Sequence, residues 1–235
     1  MNILCISDTH CQHELLNQYL YDPDYMKDID CIIHAGDATT SRDRNTNAKE
    51  LRSFLDWYCE IPVNHKIFVP GNHDVSMEAK VIDRKEYSDI TFLVHESTII
   101  DGIVIFGSPY TPTFGTGWAY NVARHKINRY WDEIPLTTDI LITHGPPLGI
   151  LDQTTSGVEF SNPDNGNKYV LSCGDKALLT KIFNLYLEYH IFGHIHDEKD
   201  IYNNGIRIID NTKYINASIV DIRHNFVNKP IKITI

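Results

Sequence analysis

The sequence predicts an α/β fold in which two mixed β-sheets pack face to face, with helices on their outer sides: a four-layer αββα sandwich. Three observations predict it. Short apolar runs rich in β-branched residues recur along the chain (NILCIS, CIIHA, KIFVP, DILIT and YHIF), most of them closed by Gly or Asp, which is how buried strands read. Stretches with helical spacing separate the first of these runs, an alternation that argues for parallel strands joined by right-handed crossovers. After Asp74 the texture changes, and short β-rich pieces over 91–94, 97–100 and 102–106 follow one another through tight turns. A second sheet is the natural home for them.

Taken in order, residues 2–7 form the first strand, and a helix begins near Glu14. Residues 30–35 form the second strand, followed by the polar loop TTSRDRNTN. A helix over residues 48–59 places Leu51, Phe54, Leu55 and Tyr58 on one face. Residues 66–70 make the third strand. Residues 91–94, 97–100 and 102–106 then read as a meander, with Asp101-Gly102 as a hairpin turn. A Gly- and aromatic-rich loop, a helix over 122–131 and a strand over 139–143 follow. The long loop to Ser172 has no strong period and reads as a lid or specificity element. A helix over 175–187, a strand over 189–192, a hairpin around Asn203-Asn204-Gly205 and further strands complete the chain.

At 235 residues with 42% hydrophobic composition, the chain is read as a single domain spanning residues 1–235. The formal net charge of −10, with Lys and Arg scattered, does not favour a polymeric nucleic acid as partner. The five cysteines are an odd number without a CxxC pair, as expected of thiols in a reducing, cytoplasmic setting. Cys11, beside His10, is read as a loop residue rather than a soft ligand. No apolar run approaches the ~20 residues of a membrane span, and no signal peptide is expected ahead of the first strand. The exposed aromatic stretch near residues 115–120 leaves a homo-oligomer open.

Function is read from the strand ends. Asp8-Thr9-His10, Gly36-Asp37, Gly71-Asn72-His73-Asp74, Thr143-His144-Gly145 and Gly193-His194-Ile195-His196 each follow, or nearly follow, an apolar run. In an open α/β sheet such positions converge on one edge. Three carboxylates, an amide and several imidazoles gathered there form a metal site, with enough donors for two ions. Carboxylate and amide oxygens mixed with imidazoles suit Mn²⁺, Fe²⁺, Co²⁺ or Zn²⁺ better than Mg²⁺ or Cu. His34 precedes the second block and reads as a core or supporting histidine; His13, His65, His95, His125, His190 and His224 fit no block and read as surface or structural.

The series D-x-H, GD, GNH(D/E), H and GHxH resembles the calcineurin-like metallophosphoesterase superfamily, and all five blocks stand intact from Asp8 to His196. The stretches GSPYTPTFGTGWAYN, DILITHGPPLGILD, YHIFGHIH and YINAS are similar to the branch of the metallophosphoesterase-domain brain proteins. The resemblance implies the metallophosphoesterase form of the αββα sandwich. It implies one metal on Asp8, His10, Asp37 and His196, and a second on Asp37, Asn72, His144 and His194, with Asp37 shared. Two divalent ions, Mn²⁺ first among them, would then activate a bridging hydroxide for in-line attack on a phosphate ester. His73 is free to protonate the leaving group as general acid, and Asp74 either orients His73 or holds the turn. The loop after GD reads ATTSRDRN, not the acidic pattern of that branch. Arg42, Tyr110 and Trp118 are candidate substrate contacts. The expected substrate is a small phosphodiester, with cyclic nucleotides implied by the resemblance. A phosphomonoesterase or short-oligonucleotide nuclease is the alternative, and a non-catalytic scaffold of the same fold the third reading.

Overall fold

The computed structural model describes residues 1–155 and 169–235. Strands β1 (Asn2–Ile6), β2 (Cys31–His34), β3 (His65–Phe68) and β4 (Ile90–Phe92) run parallel in a first sheet. The second sheet contains β5 (Glu96–Ile100), β6 (Ile103–Ser108), β7 (Ile140–Thr143), β8 (Tyr189–Phe192), β9 (Gly205–Ile209) and β10 (Thr212–Asn216). Its order is β9-β10-β8-β7-β6-β5, with β6, β7, β8 and β10 mutually parallel. The last strand, β11 (Ile231–Thr234), returns to pair antiparallel with β1 and completes the first sheet as β11-β1-β2-β3-β4. Both sheets are thus mixed.

The strands of each sheet's centre are buried on both faces, which is why they read as continuous apolar runs rather than as alternating ones. Ile3, Cys5, Ile33 and Ile67 point inward from the first sheet and meet Ile105, Ile140, Ile142, Ile191 and Ile215 from the second. The opposite face of the first sheet, with Leu4, Ile32 and Phe68, is covered by the helix Arg44–Glu60 through Leu51, Phe54, Leu55 and Tyr58. The Tyr58 hydroxyl donates toward the carbonyls of Ile32 and Ile67, pinning the helix to β2 and β3. The outer face of the second sheet, with Phe106, Leu141 and Phe192, carries Trp131, Leu178 and Ile182 from the helices Asn128–Asp132 and Lys176–Ile182. The four expected layers are all present. Among the described residues no helix is long and apolar enough to cross a membrane.

The structure corrects several local expectations. The helix expected from residue 48 starts at Arg44, because the Asp43 carboxylate accepts from the Thr46 amide at 2.9 Å and caps it. The expected meander is divided between sheets: β4 stays with β3, and only β5 and β6 form a hairpin. The chain crosses over at Leu93, whose amide still donates to Phe68, and turns at His95 in the left-handed region (φ 62°). The helix expected over 122–131 is confined to Asn128–Asp132, because Asn121–Val122 pair with Thr111–Pro112. The helix expected to reach residue 187 ends at Ile182. The hairpin expected at Asn203-Asn204-Gly205 turns instead between Ile209 and Thr212, with Asp210 in the left-handed region. Asn203 and Asn204 donate their amides to Asp197, which keeps them out of the turn. Of the expected lid, residues 156–168 lie outside the described residues, while Gln153–Thr154 and Leu171–Ser172 pair on either side.

Candidate metal centre

Three parallel strands of the first sheet and two of the second deliver the five motif blocks to one edge. Asp8 and His10 follow β1, Asp37 follows β2, Asn72 and His73 follow β3, His144 follows β7, and His194 and His196 follow β8. Backbone hydrogen bonds hold the block from β1 against that from β2: Asp8 donates to Gly36 at 2.8 Å and His10 to Asp37 at 3.1 Å. Two contacts lock the sheets together at this edge. The His194 amide donates to the Asp8 carboxylate at 3.0 and 3.1 Å, and Nδ1 of His144 donates to the Ala35 carbonyl at 2.9 Å. Asp8, His10, Asp37 and His194 all sit at positive φ, at 57, 41, 59 and 70°. Such conformations cost free energy and concentrate where a side chain must be aimed. Gly71 and Gly193 leave the room: a Cβ on Gly71 would lie 2.2 Å from Oδ1 of Asp37, and one on Gly193 2.1 Å from Oδ2 of Asp8.

The hydrogen bonds behind the imidazoles set their tautomers. His10 donates Nδ1–H to the Thr39 carbonyl at 3.1 Å, and His144 donates Nδ1–H to Ala35, so in both it is Nε2 that faces the cluster. Nε2 of His144 lies 3.0 Å from Oδ1 of Asn72 and 3.3 Å from Oδ2 of Asp37. Oδ2 of Asp37 is also 4.0 Å from Nε2 of His10 and of His73. His196 reaches Oδ1 of Asp8 through Nε2 at 3.1 Å. Among the described residues, three donor sets each bring their ligand atoms within 4.8 Å: Asp37, His144 and His194; His10, Asp37 and His73; and His10, His196 and His224. Nε2 of His10 is buried and has no partner among the described residues. Polar atoms left so are costly unless something absent from the protein itself satisfies them. A divalent cation fits this donor set, in which hard carboxylates and an amide stand beside several imidazoles.

Electrostatics follow from burial and proximity. Burial alone would raise the Asp8 carboxyl, but the hydrogen bond and charge of His196, with His144, hold it well below the usual range. Asp37 behaves alike: burial is outweighed by His144, His73 and His10, and the group stays ionised. Burial drives His10 and His194 down to about 3, keeping them neutral and fit to bind metal. For His144, burial is overruled by Asp37, and its pKa rises to about 9 in the cation-free protein. Asp74 makes no bond to the His73 ring. Its carboxylate accepts from the amides of Asp37 (3.0 Å), Gly71 (2.7 Å) and Thr39 (3.1 Å), and from the Thr39 hydroxyl (2.9 Å). Of the two roles expected for it, holding the turn is the one this geometry supplies.

His73 faces the cluster from the other side. It donates its amide to Oδ1 of Asp37 at 2.7 Å, and its Nδ1 lies 3.3 Å from the Thr40 carbonyl, which turns Nε2 inward. Trp118 packs against the His73 ring at 4.4 Å, and the Arg42 guanidinium lies over Trp118 at 3.6 Å. Arg42 and Trp118 therefore stand at the rim. Tyr110 is half-buried and packs against Tyr130 at 3.9 Å and His95 at 5.3 Å. Phe114, from the same aromatic loop, lies 5.1 Å from His194. Beside it opens a cavity of about 450 Å³ lined by Phe114, Arg124, Pro146, Cys173, His194 and His196. Arg124 was not anticipated; a lone arginine in an irregular loop carries no pattern. Cys11 belongs to none of the three donor sets. His34 supports the site, accepting from the Gly36 amide and bonding Thr9. His224, read as surface or structural, is instead stacked on His10 at 4.0 Å.

The sandwich of two mixed sheets, with this His, Asp and Asn edge, defines a metal-dependent phosphoesterase. The chain belongs to the Calcineurin-like phosphoesterase family, whose model matches residues 1–198. It is 31% identical to the UPF0046 protein K07C11.7 of Caenorhabditis elegans, over 98% of this chain and 74% of that protein. It is 30% identical to the human Metallophosphoesterase domain-containing protein 1, over 98% of this chain and 69% of that one. Among solved structures, the Phosphopantetheinyl Hydrolase PptH from Mycobacterium tuberculosis shares the fold with a TM-score of 0.55. That match has 14% identity and covers 95% of this chain and 90% of that one.

Proposed function

We propose that the chain is a dinuclear metal-dependent phosphoesterase that hydrolyses small phosphodiesters, cyclic nucleotides among them, with His73 as general acid. The observation that carries this reading is the place of Asp37. One of its oxygens lies 3.3 Å from Nε2 of His144 and 4.0 Å from Nε2 of His10, between the two donor sets. Asp8, His10, Asp37 and His196 would hold one cation, and Asp37, Asn72, His144 and His194 the other. Two such cations supply Lewis acidity and an acidified water near neutral pH. Asp37 and Asp8 stay ionised to offset the added charge. The backbone carbonyls of Thr39 and Ala35 keep His10 and His144 in the ligating tautomer. His73, protonated at Nε2, would donate to the departing alkoxide oxygen while the Thr40 carbonyl orients its other nitrogen. Trp118 and Phe114 would shield this proton transfer and flank the ester's organic group.

A second reading, a phosphomonoesterase or a nuclease on short oligonucleotides, is favoured by one feature. Arg42, stacked on Trp118 at the rim, offers a cation of the kind a monoester dianion calls for. The net charge of −10 continues to weigh against long nucleic acids. All five thiols are free, and Cys5 and Cys31 are buried, which supports a reducing, cytoplasmic setting. The test is metal analysis of the purified protein together with a panel of 2′,3′- and 3′,5′-cyclic nucleotides, bis-nitrophenyl phosphate and the matching monoesters. We expect two bound Mn²⁺ per chain and diester turnover. Turnover of monoesters with diesters untouched would move the assignment to the second reading, and failure to bind any divalent cation would end both.

A further inference from the structure

We propose that the cavity beside His194 and His196 binds a second, unreacted phosphate on the organic part of the substrate, and that Arg124 reads it. The proposal rests on the phosphoesterase reading above and narrows its substrate class to phosphodiesters whose alcohol bears a further phosphate. One cavity of about 450 Å³ is lined both by His194 and His196, ligands in that reading, and by Arg124. Its volume suits a small organic ligand. Pro112, Phe114, Pro146 and Ile222 supply apolar wall between the polar groups.

Phe114 and Arg124 are placed by one device. Thr111–Pro112 and Asn121–Val122 pair in parallel, and the Thr113 amide donates to the Val122 carbonyl at 2.9 Å, extending the ribbon. The Asn121 side chain donates to Oγ1 of Thr111 at 2.9 Å and ties its two segments together. Phe114 and Arg124 stand just past the paired residues, so the ribbon delivers an aromatic ring and a guanidinium to the same cavity. Nη1 of Arg124 donates to the Gly174 carbonyl at 3.4 Å and Nη2 to the Cys173 carbonyl at 3.3 Å. These bonds orient the guanidinium and leave one N–H on each terminal nitrogen, and that of Nε, without a partner among the described residues. Arginines and lysines in ion pairs among the described residues are Arg52, Arg84 and Lys213; Arg124 is not one of them. Two carboxylates line the same cavity, and both are committed to the wall. Asp175, 4% exposed, accepts from Nε1 of Trp131 at 2.6 Å and from the Ala177 amide at 2.9 Å. Glu198, 8% exposed, accepts from the Thr155 amide at 3.0 and 3.1 Å and from its hydroxyl at 2.6 Å. Histidines of the cation cluster apart, Arg124 is the exposed charged group offered to this cavity. A guanidinium held in plane with N–H groups to spare matches the oxygens of a phosphate.

The experiment uses the Mn²⁺-loaded full chain and a matched pair, adenosine 2′,3′-cyclic phosphate with and without a 5′-phosphate. Wild type should favour the 5′-phosphorylated diester by about 10- to 100-fold in kcat/KM, chiefly through KM. Arg124→Gln, which keeps an amide donor for the neighbouring carbonyls, should lose that factor on the phosphorylated substrate and less than about threefold on the other. Arg124→Lys, which keeps the charge without the paired donors, should fall between. Calorimetry supplies a readout free of turnover. Adenosine 3′,5′-bisphosphate should bind wild type about 10- to 100-fold more tightly than adenosine 3′-monophosphate, and Arg124→Gln should bind the two alike. Equal kcat/KM for the pair in wild type, or a preference that survives in Arg124→Gln, would overturn the proposal and leave the phosphoesterase reading intact. Equal binding of the two nucleotides by wild type would overturn it as well. Turnover of neither diester, with Arg124-dependent binding of the bisphosphate retained, would uphold the phosphate site and defeat the reading beneath it.

Discussion

The backbone amide of His73 donates to Oδ1 of Asp37 at 2.7 Å, while Oδ2 of the same carboxylate faces His10, His73 and His144. One side chain therefore serves two purposes: Oδ2 is turned to the cations, and Oδ1 fixes the chain segment that carries the proposed general acid. Replacing it separates these purposes. Asp37→Asn keeps an acceptor for the His73 amide but loses the charge shared between cations. We expect a loss of at least about 10³-fold in kcat/KM with a nearly normal fold. Asp37→Ala should lose as much activity and also destabilise the protein, since the His73 amide is left without its partner. Equal cation affinity in wild type and Asp37→Asn would sink the bridging role.

The role of His73 has a signature of its own. A general acid matters most where the leaving group is a strong base, so His73→Ala should lower kcat on ribose alkoxide esters by about 10²- to 10⁴-fold. On nitrophenolate esters, whose leaving group departs without a proton, the loss should stay below about tenfold. Because the His73 ring also packs on Trp118 and His10, His73→Gln is the companion variant that keeps bulk at this place. Identical losses on both ester types would assign the residue to substrate positioning instead.

Asp74 is a structural carboxylate in the strict sense that its partners are the chain itself. It gathers the amides of Asp37, Thr39 and Gly71, joining the loop after β2 to the loop after β3. Asp74→Ala should cost about 2–5 kcal/mol of stability, because three backbone amides and the Thr39 hydroxyl lose their acceptor at once. Cation affinity should fall with it, since Asp37 is among the residues released. Asp74→Asn, which retains one carbonyl acceptor, should lie between. Urea unfolding of the cation-free proteins measures the ranking, and wild-type stability in Asp74→Ala would contradict it.

Much of this was legible in the chain because each motif block follows an apolar run. Asp8, Asp37, Asn72, His144 and His194 could be placed on one edge once the runs were read as parallel strands. What the runs do not encode is which sheet receives them. β4 and β5 are both short β-rich pieces close in sequence, yet they pair in different sheets, with the chain turning between them at His95 in the left-handed region. His224 was missed for a related reason: no block announces it, and its place depends on the turn that Asp221 nucleates. Tyr110 and Trp118 stand in one aromatic loop and have the same chemical character. Tyr110, half-buried, packs against Tyr130 and His95, while Trp118 meets His73. Side-chain type does not separate the two; tertiary contact gives each its own neighbours.

His190, a histidine outside the cation cluster, is expected to contribute to the acid sensitivity of the fold. It is wholly buried on β8. The Thr143 hydroxyl donates to the Gly145 carbonyl at 2.7 Å, so Nε2–H of His190 must be the donor in its 2.8 Å bond to Thr143. Its Nδ1 then carries the lone pair, buried and without a partner among the described residues. A proton added there would be a charge in an apolar layer, and burial accordingly pushes the pKa down from 6.5 to about 3. Well above pH 6.5 the residue is neutral in both folded and unfolded chains and contributes no slope. As pH falls below that value the unfolded chain takes up a proton that the folded one refuses, so stability is lost toward about pH 3. The slope approaches about 1.4 kcal/mol per pH unit for each such group. His34, pushed down to about 3 by burial, acts in the same direction. Urea unfolding of the cation-free protein at pH 7 and pH 5 should therefore show a marked loss of stability at the lower pH. His190→Gln, whose side chain cannot take the proton in either state, should lose about 1–2 kcal/mol less across that interval. Wild-type and variant stabilities that fall in parallel would mean that the buried imidazole is not what limits the fold in acid.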